Sequence, residues 1–159
     1  MARDGGALAM LACPTAIIDE TLAHLRAGGA EACETAVLWL GRRSGDDQTI
    51  VEAFRPQQIV DRDFFQIPSE GMRALIAHLR GRQFHILAQV HSHPELAFHS
   101  RADDRWAIVR HLGAVSLVIP WFGLKTTRGS FLHDVAAFQL DATDRWCEVA
   151  PRSILVVCL

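Results

Sequence analysis

The chain has 159 residues, of which half are hydrophobic and 21% are charged, with a formal net charge of −2. This composition is typical of a folded globular protein, and a chain of this length buries roughly two thirds of its unfolded surface around one core. The few basic residues are scattered, whereas a nucleic-acid surface needs clustered Lys and Arg. We therefore predict a single domain over residues 1–159 and no nucleic-acid partner.

The cysteines and the apolar runs indicate where the protein resides. Cys13, Cys33, Cys147 and Cys158 form no Cys-x-x-Cys pair and are too sparse for a disulfide-stapled secreted scaffold. The apolar stretch from Ala7 to Cys13 has the ending of a lipoprotein signal, but it is short and lacks a basic leader. No apolar run approaches the ~20 residues that span a bilayer. We expect a cytoplasmic protein with no membrane partner.

The first half of the chain predicts a helix followed by a β-hairpin. Apolar residues recur at helical spacing from Ile17 to Ala30. The nearly continuous apolar run from Thr35 to Leu40 is typical of a strand buried on both faces, and Gly41 is expected to end it. Gln48 to Phe54 predicts a second strand after a polar turn. The two strands are expected to pair, with Glu34 at the entrance to the first.

The second half alternates helices and strands. A helix is predicted from Ser69, its expected cap, to Arg80, with Gly81 ending it. The apolar run from Phe84 to Val90 predicts a strand that leads directly into His91, and a further helix is predicted over Asp104 to Leu112. Three more strands are predicted over Ala114–Ile119, Val135–Leu140 and Trp146–Val149. This alternation predicts an α/β domain, a mixed β-sheet flanked by helices on both faces.

One group of residues has the pattern of a catalytic metal site. Residues two apart in a strand point to the same side, so His91 and His93 can present both imidazoles to one ion. The loop after Pro94 is long enough to return Asp103 to the pair. Two nitrogens and one carboxylate leave a fourth position open, as in catalytic zinc sites, where bound water has a pKa of about 7. The pattern predicts a zinc site that needs a nearby base.

Several residues around this group have more than one interpretation. Glu34 is the candidate base, and Glu31 and Glu52 are nearby competitors. Ser100 and Asp103, before a helix, also have the spacing of a capping box, and the two roles can coexist. His99 either lies on the substrate side, or orients a metal ligand, or is a solvated loop residue, so it is not assigned to the site. Trp121-Phe122-Gly123 follows a strand end and either lines a substrate groove or only packs.

Three segments together resemble the motif of the JAMM (JAB/MPN) metalloproteases. They are Glu34 to Gly41, His91-Ser92-His93-Pro94, and Ser100-Arg101-Ala102-Asp103. Five residues separate Pro94 from Ser100, where the commoner family spacer has six. Small bacterial members with a Phe-His-Ser approach and a doubled aspartate resemble this chain more closely than the eukaryotic enzymes do. The Ser-x-x-Asp count selects Asp103 rather than Asp104 as the ligand.

The resemblance implies a JAMM/MPN-like (cytidine-deaminase-like) fold and a role for each matching residue. His91, His93 and Asp103 would bind Zn²⁺, Glu34 would shuttle the proton, and Ser100 would help to stabilise the tetrahedral oxyanion.

The resemblance also implies a substrate class. The expected reaction is hydrolysis after the C-terminus of a ubiquitin-like protein, in deconjugation or precursor processing. Activating and conjugating enzymes of the same system would be partners. Antiphage defence is one system in which such enzymes would act together. One alternative is a peptidase that releases an amino acid or short peptide from a sulfur-carrier protein in biosynthesis. The other is a non-catalytic MPN scaffold, against which the presence of all four motif positions counts.

Overall fold

The fold is built around one long sheet with helices on both faces. A computed structural model describes residues 10–159, apart from the side chains of Ala102 and Trp106. The strands are β1 (Leu11–Pro14), β2 (Ala36–Ser44), β3 (Asp47–Phe54), β4 (Ile59–Asp61), β5 (Phe64–Gln66), β6 (His85–Ser92), β7 (Val115–Ile119), β8 (Ala136–Leu140), β9 (Trp146–Val149) and β10 (Leu155–Cys158). The helices are α1 (Thr15–Ala30), α2 (Ser69–Arg82), α3 (Arg101–Trp106) and α4 (Phe131–Asp134), with short 3₁₀ turns at Trp121–Gly123 and Pro151–Ser153.

The order of the strands places β2 beside β6. Within the described chain, eight strands form one mixed sheet in the order β10-β1-β3-β2-β6-β7-β8-β9. Strand β2 is antiparallel to both β3 and β6, whereas β6 and β7 are parallel. Ala36 is the partner of His91 in the β2–β6 register. The predicted hairpin and the predicted closeness of the Glu34 strand to the His91 strand are therefore both observed.

Alternate side chains of β2 enter cores on opposite faces of the sheet. Trp39 is fully buried in the larger cluster, which contains Leu22 of α1. Leu38 and Leu40 are buried in a second cluster with Leu75 of α2. A strand buried on both faces explains why this segment is almost continuously apolar. The predicted mixed sheet with helices on both faces is confirmed.

Glycines did not end elements where we predicted. Strand β2 continues through Gly41 to Ser44, with an irregularity in its pairing to β3 between Leu40 and Gly41. A Cβ at Gly41 would lie 1.9 Å from the Thr49 carbonyl oxygen, so this glycine permits close strand approach. Helix α2 likewise passes Gly81 and ends at Arg82, followed by Gln83 in the left-handed region with φ 56°.

Two further details of the predicted helices are wrong. Ser69 does not cap α2, because Pro68 occupies the cap position and Ser69 is already the first helical residue. The helix predicted over Asp104–Leu112 is instead α3, which ends at Trp106. Beyond it, the Gln89 side-chain oxygen accepts hydrogen bonds from the Ile108 and Val109 amides at 2.8 and 3.4 Å. A buried side chain from β6 thus satisfies backbone groups that a longer helix would have paired internally.

Strands β1 and β10 were not predicted, and they pair in parallel at one end of the sheet.

Residues 7–9 of the apolar stretch that begins at Ala7 lie outside the described residues, whereas Cys13 is fully buried in β1. None of the helices within residues 10–159 combines the length and apolarity that a membrane span requires.

Candidate metal centre

The two histidines lie at the end of β6, where neighbouring strands fix their backbones. His91 pairs with Ala36 on one side and Val118 on the other. His93 is just beyond the strand, and its amide donates to the Ile119 carbonyl at 2.9 Å. The His93 carbonyl accepts a hydrogen bond from the Phe122 amide at 2.8 Å. Both rings are therefore carried by backbone that is hydrogen-bonded to β7 or to the turn after it.

Asp103 is placed by the capping box at the start of α3. The Asp103 amide donates to Ser100 Oγ at 3.1 Å, and Asp103 Oδ2 accepts from the Ser100 amide at 2.6 Å. This reciprocal pair fixes both the helix start and the rotamer of the carboxylate. The loop from Pro94 therefore returns Asp103 to the histidines although its spacer is one residue shorter than the commoner one.

The three side chains form a buried cluster whose atoms have the spacing of metal ligands. His91 Nε2 and His93 Nε2 are 3.3 Å apart, and each lies 3.1 Å from an oxygen of Asp103. All three residues are buried, and their ligand atoms lie within 4.8 Å of one another. Tetrahedral zinc with bonds of about 2.0–2.1 Å separates its ligand atoms by roughly 3.3 Å. The donor set and its spacing therefore fit a zinc-type ion.

Glu34 lies beside this cluster, with Oε1 3.8 Å from His93 Nε2. Its amide donates to the Asp61 carbonyl of β4 at 2.8 Å. The next residue, Thr35, donates its amide to Ser92 Oγ at 3.0 Å and accepts from the Ser92 amide at 3.1 Å. Ser92, the middle residue of His-Ser-His, therefore ties the glutamate segment to the histidine segment.

Gln58 is a second supporting residue that the sequence analysis missed. Its side chain accepts from the Ala36 amide at 2.8 Å and donates to the Ala36 carbonyl at 2.9 Å. These are the hydrogen bonds that a neighbouring strand would make, beyond the point where β3 stops pairing with β2 at Leu38. A lone Gln in a loop gives no sequence signal for such a role.

Burial and charge set the protonation of the two carboxyl groups. Burial raises the pKa of Glu34 to about 8, and repulsion from Asp103 and then Asp63 acts in the same direction. Burial would also raise the pKa of Asp103, but hydrogen bonds with His91 and His93 outweigh it and hold that pKa far below its ordinary value. Asp103 is thus ionised at neutral pH, as a metal ligand must be.

The competing glutamates are placed differently. Glu52 lies on β3 and is hydrogen-bonded through Oε2 to His78 Nε2 at 2.9 Å, and Glu31 is an exposed residue just after α1. Of the three candidates for the base, the structure brings only Glu34 to the cluster of His91, His93 and Asp103.

His99 is buried near the cluster and is not solvated. Its side chain is 4% exposed, and Nδ1 lies 2.7 Å from Asp104 Oδ1. Burial lowers the pKa of His99, against the opposing effect of the Asp103 and Asp104 carboxylates. Asp104 therefore faces His99, while Asp103 faces the two other histidines.

A cleft of about 460 Å³ opens beside the cluster. Its lining includes Glu34, His93, Ser100 and Arg101. Phe98 also lines the cleft and is 55% exposed. The cleft therefore joins the candidate base, a candidate metal ligand and an exposed aromatic side chain in one accessible space.

Residues 14–127 match a family described as prokaryotic homologs of the JAB domain. The chain belongs to this family. The match contains Glu34, His91, His93, Ser100 and Asp103, and it ends before β8. Strands β8, β9 and β10 of this JAB-domain protein thus lie outside the matched region.

Two further comparisons cover most of the chain. This JAB-domain protein is 35% identical over 149 residues to "Probable metalloprotease y4jG" of Sinorhizobium fredii, covering 91% of this chain and 90% of the relative. It also resembles the solution structure of protein DSY2949 from Desulfitobacterium hafniense, with a TM-score of 0.69 and 21% identity, over 94% of this chain and 93% of that one. The second likeness shows the shared fold.

Proposed function

We propose that this chain is a zinc-dependent peptidase that cleaves after the C-terminus of a ubiquitin-like protein, in deconjugation or precursor processing. The observation that carries the proposal is the buried His91, His93 and Asp103 cluster with the Glu34 carboxylate 3.8 Å from His93 Nε2. The description of the S. fredii relative as a probable metalloprotease supports peptide-bond hydrolysis as the reaction. The substrate class rests on the resemblance to the JAMM enzymes.

Glu34 is the group that moves the proton. His91, His93 and Asp103 would hold the ion, which would supply Lewis-acid polarisation of the substrate carbonyl and a water with a pKa of about 7. Glu34 accepts the proton of the attacking water and then delivers it to the leaving nitrogen. The pKa of Glu34 is about 8 without metal, and a positive ion held by His91, His93 and Asp103 would lower it and favour the ionised carboxylate that acts as a base at neutral pH.

Ser100 is the proposed support for the oxyanion. Its Oγ accepts the capping bond from the Asp103 amide. A hydroxyl has one donor in addition to its acceptor lone pairs, so this bond leaves the Ser100 O–H available to donate. Because Ser100 also lines the cleft beside Glu34 and His93, it can donate to an oxygen that becomes negatively charged there.

The mouth of the site suits an extended polypeptide. Phe98 and Leu96 are largely exposed on the loop after His93, and Trp121 is 38% exposed on a segment whose amide bonds to the Glu95 carbonyl. Of these residues Phe98 lines the cleft, and an exposed apolar side chain beside a polar reaction centre is typical of a site that binds the substrate through its side chains. A flexible carboxyl tail can enter such an open cleft.

The test is cleavage of ubiquitin-like proteins that carry a short C-terminal extension, with zinc-loaded and chelator-treated enzyme. We expect cleavage at the tail junction that is lost on chelation and restored by zinc. Glu34→Gln should abolish it, and the matched control Glu31→Gln should not.

Other outcomes separate the alternatives. Trimming of sulfur-carrier precursors alone would favour the biosynthetic peptidase over deconjugation. Cleavage that survives both chelation and Glu34→Gln would contradict the proposed mechanism. A metal-bound protein that cleaves none of the substrates would favour the scaffold.

A further inference from the structure

The ring of His99 lies between His91, a candidate metal ligand, and the hairpin formed by β8 and β9. Its centroid is 6.3 Å from that of His91, edge-on, and 4.9 Å from that of Trp146 on β9. Phe138 of β8 contacts another part of the ring, with centroids 5.2 Å apart. The His99 Nδ1 atom is held by Asp104 at 2.7 Å. His99 is thus fixed in one orientation by packing and by a hydrogen bond.

Three polar atoms around this ring have no protein partner among the described residues. They are His91 Nδ1, His99 Nε2 and Trp146 Nε1, and each is fully enclosed. An enclosed polar atom without a hydrogen bond costs about 1–3 kcal/mol, so native structures contain few of them. The His99 ring contacts the rings of both His91 and Trp146, so three such atoms around it indicate a shared partner.

The hydrogen-bonding roles of the three atoms are complementary. If His91 binds a metal through Nε2, its proton is on Nδ1, which is then a donor. A neutral His99 that donates from Nδ1 to the Asp104 carboxylate has a lone pair at Nε2, which is an acceptor. Trp146 Nε1 is a donor in every state. Two donors and one acceptor match one water molecule that accepts twice and donates once, within the two to four bonds usual for buried water.

We propose that one buried water joins His91, His99 and Trp146, and that His99, oriented by Asp104, is a positioning residue for the metal ligand His91. The inference rests on the metal site of the proposed function. Partners of this kind fix the tautomer and direction of a ligating imidazole and increase its basicity. The two adjacent aspartates then have separate tasks, since Asp103 contacts the ligand cluster and Asp104 holds His99.

The position of Trp146 makes this support a feature of the region beyond the family match. Trp146 and Phe138 lie on β9 and β8, whereas the match covers residues 14–127. The hairpin that completes one end of the sheet therefore also encloses the water and the positioning histidine.

The test is Co²⁺ and Zn²⁺ binding to full-length variants, with the visible absorption of bound Co²⁺ as a report of ligand geometry. His99→Phe keeps an aromatic ring but removes both nitrogens, and we expect metal affinity to fall 10–100-fold with a changed Co²⁺ spectrum. His99→Gln keeps a polar atom near the position of Nε2 and should recover most of the affinity. His133→Phe is the matched control, because His133 also contacts an aspartate at 3.1 Å through Nδ1 but is 90% exposed.

A second measurement does not depend on the folding of His99→Phe. Trp146→Phe removes the indole N–H together with part of the ring and should also weaken metal binding. In the wild type loaded with Zn²⁺, nitrogen NMR should show the protons of both His91 and His99 on Nδ1.

Each outcome bears on a distinct claim. A His99 proton on Nε2, or His99→Phe and Trp146→Phe proteins with wild-type affinity and spectrum, would overturn this inference alone. A wild-type protein that binds neither metal would overturn the metal site and the proposed function as well.

Discussion

Exchanging the Glu34 carboxyl for an amide separates catalysis from folding and metal binding. Glu34 is only 3% exposed. The hydrogen bond to the Asp61 carbonyl is donated by the Glu34 backbone N–H and does not involve the side chain. Gln has nearly the same volume, so Glu34→Gln should keep the fold. Glu34 is not one of the three candidate metal ligands, so the variant should also keep any bound metal.

The expected loss is in the chemical step. General base assistance contributes about 10²–10⁴-fold, so kcat should fall by at least about 100-fold. That range corresponds to about 3–5 kcal/mol of transition-state stabilisation. Substrate binding should survive, because Gln can still donate and accept hydrogen bonds.

In the absence of metal, the Glu34→Gln variant should be more stable to unfolding than the wild type. The pKa of Glu34 is raised from 4.5 to about 8 in the fold, so between these pH values the folded state holds a proton that the unfolded state has lost. Stability from this group is therefore present below about pH 4.5 and is lost as the pH rises to about 8. The full effect is at most about 5 kcal/mol. Glu34→Gln should lack this decline and gain most at pH 8.

The assays are single-turnover cleavage at saturating enzyme, elemental analysis for zinc, and urea unfolding of metal-free protein at pH 6 and pH 8. Glu31→Gln serves as the control, because Glu31 is exposed and away from the histidines. Wild-type cleavage by Glu34→Gln, together with an inactive Glu31→Gln or Glu52→Gln, would refute the assignment of the base. A Glu34→Gln protein that is less stable at pH 8 would refute the argument from burial.

Three further predictions concern the metal and its support. Elemental analysis should find about one zinc per chain, and absence of metal on both analysis and titration would contradict the site. His93→Ala should lose metal, and Asp103→Ala should weaken binding more than Asp104→Ala; equal losses at the two aspartates would mean that the ligand is misassigned. Ser92→Ala should cost about 1–3 kcal/mol in urea unfolding and slow cleavage, because it leaves the buried Thr35 amide without its 3.0 Å acceptor; unchanged stability would contradict this role.

Long periodic segments and the motif were predictable from the sequence. Helix α1 follows a helical hydrophobic period, and β2 and β3 follow from a continuous apolar run and a second apolar segment separated by a polar turn. The candidate metal ligands could be inferred because both histidines of His-x-His point to the same side of a strand and a capping box fixes an aspartate at the start of a helix.

Features that depend on distant partners were not predictable. Strands β1 and β10 have four residues each and are defined by pairing with each other from opposite ends of the chain. Helix α3 ends at Trp106, and the amides of Ile108 and Val109 just beyond it donate to the side chain of Gln89 on β6. From the sequence alone, Gly41 predicts the end of a strand. Within the sheet a glycine is required there, because a Cβ at this position would clash with the Thr49 carbonyl oxygen.

Asp103 contributes to two equilibria with one side chain. Its Oδ2 accepts the Ser100 amide at the start of α3 and also lies 3.1 Å from His93 Nε2. A six-residue helix has little stability of its own, so α3 depends on such contacts. A metal that binds the folded arrangement stabilises it by about 4 kcal/mol at a concentration 1,000 times its dissociation constant. Because Arg101 at the start of α3 lines the cleft, metal loading and the shape of the cleft wall are thermodynamically linked, and amide hydrogen exchange in residues 101–106 should report the occupancy of the site.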